Sequence, residues 1–321
     1  MKSVPSSSTM PYEEGLHVPR LPDGVFAAQW HILTRAAIKW WDDNALRLSA
    51  SLSYYTLFSL APVLIIVIAV AGMIFGQAAV EARLMDEIKG LVGAESAEAI
   101  QTMVQQARQS ETHTMAASFG LIAMVVLSTG VFVELQDALN LIWRIPPPHT
   151  TGFWRILKSR VFSFFLVIGI GFLMIVSLTL SAAVAALGRL FTAWLPGPEI
   201  LMHLVSGAVS LLIFTALFGM MFKILPDAHI AWRDVWIGAA LTAVLFTIGK
   251  TGIGLYLGKT GIASSYGAAS SLAVVLLWVY YSALILFFGA EYTSISAKRS
   301  RSHREAESGN APRHDAGRPT S

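Results

Sequence analysis

The sequence predicts an all-α, polytopic membrane fold: a helical bundle of six transmembrane helices, an N-terminal interfacial helix and a small extracytoplasmic helical hairpin. Three observations lead there. Six apolar stretches lie near 49–76, 116–142, 154–184, 202–224, 233–257 and 271–296. Most reach about 20 residues, which at about 1.5 Å of rise each crosses a hydrocarbon core of roughly 30 Å. Only 13% of the 321 residues are charged and 55% are hydrophobic, whereas soluble chains carry about 25% charge. Finally, Lys and Arg alternate in density: 17 of the 23 fall in the N-terminal region, the second-to-third and fourth-to-fifth connections, and the C-terminal tail. The opposite connections hold five, Arg83, Lys89, Arg108, Arg189 and Lys259, and Lys250 lies inside a span. Lys and Arg are retained on the cytoplasmic side during insertion, so both termini are expected there, a parity that six spans satisfy.

Taken in order, residues 1–23 are polar and rich in Pro and Ser and are expected to form a disordered cytoplasmic tail. They contain no apolar run of signal-peptide type, which leaves the first membrane helix as the insertion signal. From about 24 to 44, Phe26, Trp30, Leu33, Ala37 and Trp40 recur at helical spacing while Arg35 and Lys39 face elsewhere. That pattern reads as a helix lying on the inner leaflet with Trp at headgroup depth. The first span contains Pro62, which removes a backbone donor and crowds the preceding turn. Either a packing kink or a broken helix lining a cavity is expected there. Ser49 and Ser53 form a small-xxx-small pair suited to close helix contact.

The insert 77–114 is acidic and keeps two helical stripes, Val80, Leu84, Ile88, Leu91 and then Ile100, Val104, Ala107, with a break expected near Gly93. Pro-rich RIPPPHTTG, LPGPE and LPD connect or end the later spans. The transmembrane domain is thus expected over 24–297, followed by a disordered basic tail at 298–321.

Polar groups at membrane depth are the candidate functional residues. Glu134 and Asp137 sit with Asn140 on roughly one face near the inner end of the second span. Glu291 lies near the inner end of the sixth, and Arg47 opens the first at similar depth. An ionised side chain there is costly unless paired or wet. These four are expected either to converge on an inward-facing polar cluster or to snorkel and pair at the interface. Lys250 stands in the outer half of the fifth span, too far from the acids to pair with them, and either snorkels outward or attracts an anionic headgroup. Gly254 and Gly258 in GLYLG fit a GxxxG packing contact.

The absence of cysteine excludes disulfides, thiolate metal sites and thiol nucleophiles. The eight histidines are scattered without ligand spacing, so no metal, cofactor or enzymatic activity is expected. The basic residues flank apolar segments and form no stripe, which argues against nucleic acid as a partner.

Several segments resemble the YihY/BrkB family of bacterial inner-membrane proteins, some of which carry the historical label ribonuclease BN. They are ASLSYYTLFSLAP (50–62), ALNLIW (138–143), LPD with RDVWIGA (225–227, 233–239), GIGLYLG (252–258) and YGAASSLAVVLLWVYYSALILFFGAEYT (266–293). The resemblance covers about 30–297 and implies a six-span protein of the bacterial cytoplasmic membrane, associated in some members with virulence or lipid export. After Tyr266-Gly267 this chain reads Ala268-Ala269-Ser270-Ser271, a mild departure from the family pattern.

Three functions compete. A transporter or flippase-like carrier of an amphipathic or anionic, lipid-like substrate draws on Pro62, the Gly-rich fifth span with Lys250, and the acids on two helices. A membrane scaffold or envelope-integrity protein uses the same residues only for packing. A ribonuclease lacks the metal cluster or His-based acid–base pair that phosphodiester cleavage demands. The bilayer is the one partner the composition dictates; an anionic lipid and a homo-oligomer remain open.

Overall fold

The computed structural model describes residues 25–109, 130–146, 198–228, 230–259 and 270–309. Among them are eight helices and no strand: α1 (Val25–Asp42), α2 (Ala45–Phe75), α3 (Gln77–Val92), α4 (Ala94–Gln109), α5 (130–142), α6 (Pro198–Ile224), α7 (Trp232–Lys259) and α8 (Ser270–Gly309). Among the described residues four stretches are long and apolar enough to cross a membrane: Ala45–Met73, Gly207–Ile224, Trp232–Ile253 and Ser270–Ser300. The expected third span, the first half of the second and both extreme tails lie outside the described residues, as does the connector beyond Pro146.

Single residues in the left-handed region make the corners. Asn44 (φ 55°), of a residue type that with aspartate visits this region more readily than other non-glycine residues, turns α1 into α2. Its carbonyl accepts from the Arg47 and Leu48 amides, starting the new helix. Gly76 (φ 85°) and Gly93 (φ 89°) separate α2 from α3 and α3 from α4, where a side chain would be strained. Arg144 (φ 57°) ends α5 in a Schellman arrangement, with the Ile145 amide donating to Asn140 O and its own amide to Leu141 O.

The helix α2 runs unbroken through Pro62. In the turns before it, Ser53, Thr56 and Ser59 hydroxyls donate to the carbonyls of Ser49, Leu52 and Tyr55 at 2.6–2.7 Å, giving these polar groups partners within their own helix. Thus the break that Pro62 allowed is absent. The acidic pair α3–α4 packs Leu84, Ile100 and Val104 onto Ala61, Leu64, Val67 and Ile68 of α2 and Val275 of α8. Arg108–Glu81 (3.0 Å) ties the two short helices together.

The helix α8 exceeds its expected boundary. It continues from 297 to Gly309, because the basic segment after Ala297 holds helix formers and neither Gly nor Pro before that residue.

Helices α7 and α8 lie antiparallel on a seam of Gly-xxx-Thr pairs. A methyl group at Gly238 would overlap Thr293 Oγ1, and one at Gly289 would overlap Thr242 Oγ1. Each threonine thus fills the notch left by a glycine of the other helix. Its hydroxyl donates at 2.7 Å to the carbonyl of the glycine four residues before it, so no polar group is stranded. Gly249 is covered in the same register by Tyr281. The predicted GxxxG glycines Gly254 and Gly258 lie within α7 beyond this seam.

Because small residues let helix backbones approach where lipid offers no hydrophobic drive, Gly289→Ala is expected to cost about 2 kcal/mol by overpacking. Adding Thr242→Ala restores part of the loss. Thermal unfolding in detergent of the two single variants and the double variant measures both effects.

Candidate functional site

A buried ionic cluster forms where α1, the α1–α2 corner, the end of α5 and α8 meet. Glu291 lies in the fourth apolar stretch, about 14 Å by helical rise from its Ser300 end. Its residue neighbours Gly289 and Thr293 face α7, so the intervening carboxylate projects to the opposite side, toward α1. There Lys39 Nζ meets Glu291 Oε2 at 3.0 Å, with side-chain exposures of 26% and 1%. Arg144 and Asp43 form the second pair at 2.7 Å, with exposures of 53% and 6%. The two carboxyl groups are themselves neighbours, Asp43 lying within hydrogen-bonding reach of Glu291. In both pairs the cation is partly exposed and the carboxylate is buried.

The local sequence explains the arrangement. Asp43 immediately precedes the left-handed Asn44, so the corner itself presents the carboxylate. Arg144 is the left-handed cap of α5, which aims its guanidinium back at that corner. Lys39 is one turn before Asp43 on α1. Around them, Tyr292 Oη donates to Gln29 Oε1 at 2.5 Å and Trp40 Nε1 to Leu284 O at 3.1 Å, fastening α1 along α8. Ile32 and Ala36 pack on Tyr292 beneath these bonds. Trp30, Ile38 and Trp41 point outward. The packed face of α1 is therefore that of Ile32 and Ala36, while Trp30 and Ala37 of the apolar stripe are exposed.

A second polar junction holds the loop after α6. Asn140 Oδ1 accepts from the Asp227 amide at 2.9 Å, while Asn140 Nδ2 and Gln136 Nε2 each donate to Asp227 Oδ2 at 3.2 Å. Lys223 Nζ donates to Ile230 O and lies 5.9 Å from the Trp232 ring centroid. The loop LPD and the segment ALNLIW thus meet directly.

Of the predicted residues, only Glu291 belongs to the ionic cluster. Arg47 is exposed on the first turn of α2, and the partner expected of it is supplied by Lys39 instead. Glu134 is half-buried and Asp137 exposed on α5, two turns or more before Arg144. Lys250 is half-buried next to Gly249, which is level with Tyr281; that places it about 15 Å along the helices from Glu291. The sequence reading missed Lys39, Asp43 and Arg144. Their available signal was position: an acid before a helix-corner Asn, and an Arg closing ALNLIW. Among the described residues no group of three or more His, Asp or Glu is placed to hold a metal ion.

Removing one member of a buried pair strands the other. Lys39→Met, which leaves the dry Glu291 without its cation, is expected to lower stability by about 3 kcal/mol. The double variant Lys39→Met/Glu291→Leu recovers most of it, as a thermal melt of the three proteins in one detergent would record.

Comparison with known proteins agrees with this architecture. A family model described as virulence factor BrkB matches residues 36–314. A UPF0761 membrane protein of Rhodospirillum centenum is 30% identical over 279 residues, 86% of this chain and 58% of that relative. One from Ralstonia nicotianae is 30% identical over 280 residues, 85% and 58% of the two chains. A Pseudomonas aeruginosa relative is 29% identical over 257 residues, 77% and 58%. The chain therefore spans less than two thirds of the length of these curated relatives. No solved structure matches. All four junctions described above, the α1–α2 corner, the Arg144 cap, the Gly-xxx-Thr seam and the Asn140–Asp227 clasp, lie inside the matched region, and the chain belongs to the BrkB family of membrane proteins.

Proposed function

We propose that this chain is a six-span protein of the bacterial cytoplasmic membrane that carries an amphipathic or anionic, lipid-like substrate across or out of the bilayer. The observation behind this reading is Glu291, a wholly buried acid inside an apolar helix. Ionisable groups at membrane depth are costly and mark substrate or ion pathways. Lys250, half-buried in a helix with glycines at 249, 252, 254 and 258, supplies a cation suited to a phosphate headgroup. Arg47, Glu134 and Asp137 stand on the helices next to the ionic cluster and complete the proposed route. In this reading α1 rests on the inner leaflet, its outward Trp30 and Trp41 at headgroup depth, and α3–α4 caps the outer face. No residue is assigned a catalytic role.

A scaffold reading has one observation in its favour: both acids of the ionic cluster already have cations, as structural ion pairs do. The two separate by experiment. With the purified chain in proteoliposomes, movement of a fluorescent anionic phospholipid between leaflets is expected to fall at least about tenfold in Glu291→Gln and Lys250→Met if these groups lie on the route. Full movement in both variants, with equal folded yield, overturns the carrier assignment.

Topology is checked independently, since the chain contains no cysteine. A single Ala82→Cys in α3 is expected to react with a membrane-impermeant maleimide added outside the cell. Ala37→Cys in α1 reacts only after the membrane is opened.

A further inference from the structure

Five buried side-chain atoms among the described residues have no hydrogen-bond partner: Asp43 Oδ2, Ser49 Oγ, Trp143 Nε1, Glu291 Oε1 and Ser294 Oγ. All five come from the segments that build the ionic cluster. Asp43 and Ser49 flank the α1–α2 corner, Trp143 precedes Arg144, and Ser294 follows Glu291 by nearly one turn on the same face of α8. Buried polar atoms are almost always paired, so their concentration in one place calls for an occupant.

The chemistry of the two carboxyls narrows it. Each gives one oxygen to its own cation, Glu291 Oε2 to Lys39 and Asp43 Oδ1 to Arg144. Each keeps the other oxygen buried and unpartnered, and the two groups lie against each other. Lys39 and Arg144 are partly exposed on the surface of the bundle, while the carboxylates are almost fully enclosed. Two dry carboxylates in contact repel unless a positive charge comes between them. We infer that Asp43 and Glu291 together form a binding site for one small monovalent cation, a proton or a sodium ion, held between Asp43 Oδ2 and Glu291 Oε1. Ser49 and Ser294, fully buried on the adjoining turns with hydroxyls that lack a partner, are available as further oxygen ligands. Among the described residues no third acid joins these two carboxylates, and a pair suits a single charge better than a divalent metal, which favours more anionic oxygens.

The other charged groups around the site are Lys39 on α1, Arg144 after α5 and Lys298 further along α8, which interacts electrostatically with all four members. From α7, Asp234 is buried in the first turn and, by the register of the seam, lies level with Ala297. The cation's role as coupling ion rests on the carrier reading; its binding does not.

The test uses the full chain in detergent, without substrate. Melting midpoints are measured while sodium replaces choline at constant pH and ionic strength, and separately from alkaline to acidic pH at constant sodium. The wild type is expected to gain about 3 °C or more along one axis. A sodium axis identifies the metal ion, and a pH axis identifies the proton. Asp43→Asn and Glu291→Gln, whose amides replace the charge without titrating, are expected to lose that dependence. On the proton axis, an infrared band of a protonated carboxyl present in the wild type disappears in Glu291→Gln. A wild type flat on both axes, or variants that keep the full dependence, overturns the site. If Asp43→Asn does not fold, Glu291→Gln and the wild-type axes decide. Cation dependence without lipid movement would leave the site standing and the carrier reading fallen; the reverse would do the opposite.

Discussion

Enclosing the carboxylate of Glu291 in an apolar helix is the constraint around which the described structure is organised. Stripped of water, such a group demands a counter-charge, and a bundle of lipid-facing residues offers none. The chain meets the demand with Lys39, some 250 residues away in sequence, and thereby binds its first helix to its last. The same spot receives Asp43 and, through it, Arg144 at the end of α5. Three segments remote in sequence, the end of α1, the end of α5 and α8, are thus held by two ion pairs whose acids are buried and whose bases are partly exposed. The asymmetry matters, because the expensive half of each pair is the half that is hidden.

Close packing makes this burial achievable. The reciprocal Gly238–Thr293 and Thr242–Gly289 contacts draw α7 and α8 together without any unsatisfied hydroxyl. They occupy one face of α8, which leaves the opposite face free to show Glu291 to α1. Lateral order comes from different devices: hydrogen bonds from Tyr292 and to Leu284 fasten α1, and Asn140 clasps the loop at Asp227. In lipid, where apolar contact distinguishes poorly between neighbours, such directional bonds and small-residue notches choose the partners.

Four of the long apolar stretches and the break near Gly93 were legible in the sequence because they rest on local rules, length for a span and positive φ for a corner. Which helix face packs inward was not. The stripe of Trp30 and Ala37 reads as a leaflet-facing side and is exposed, but nothing in the pattern marks Ile32 and Ala36 as the pair buried in the bundle, since a hydrophobic solvent removes the contrast on which amphipathic reading depends. Pro62 signalled a possible break, but proline leaves only one amide missing, and the helix passes through. The candidate site was half visible. Glu291 stood out as an acid among apolar residues, whereas Lys39, Asp43 and Arg144 looked like ordinary boundary charges. Their pairing depends on the left-handed corners at Asn44 and Arg144, which composition cannot reveal. The Gly-xxx-Thr seam carries little sequence signal, because threonine is common throughout the chain and its methyl and hydroxyl fill a notch only where a glycine of the facing helix is in register.

The length of α8 carries a mechanical consequence. At 40 residues it is about 60 Å long, roughly twice the thickness of the hydrocarbon layer. Its final turns emerge as an extension of the same rod that carries Glu291, with no glycine between Ala290 and Gly309 to absorb a twist. Leverage applied at the protruding end is therefore delivered, undamped, to the acid at its middle, so anything that grips that stalk acquires a handle on the charge deep inside.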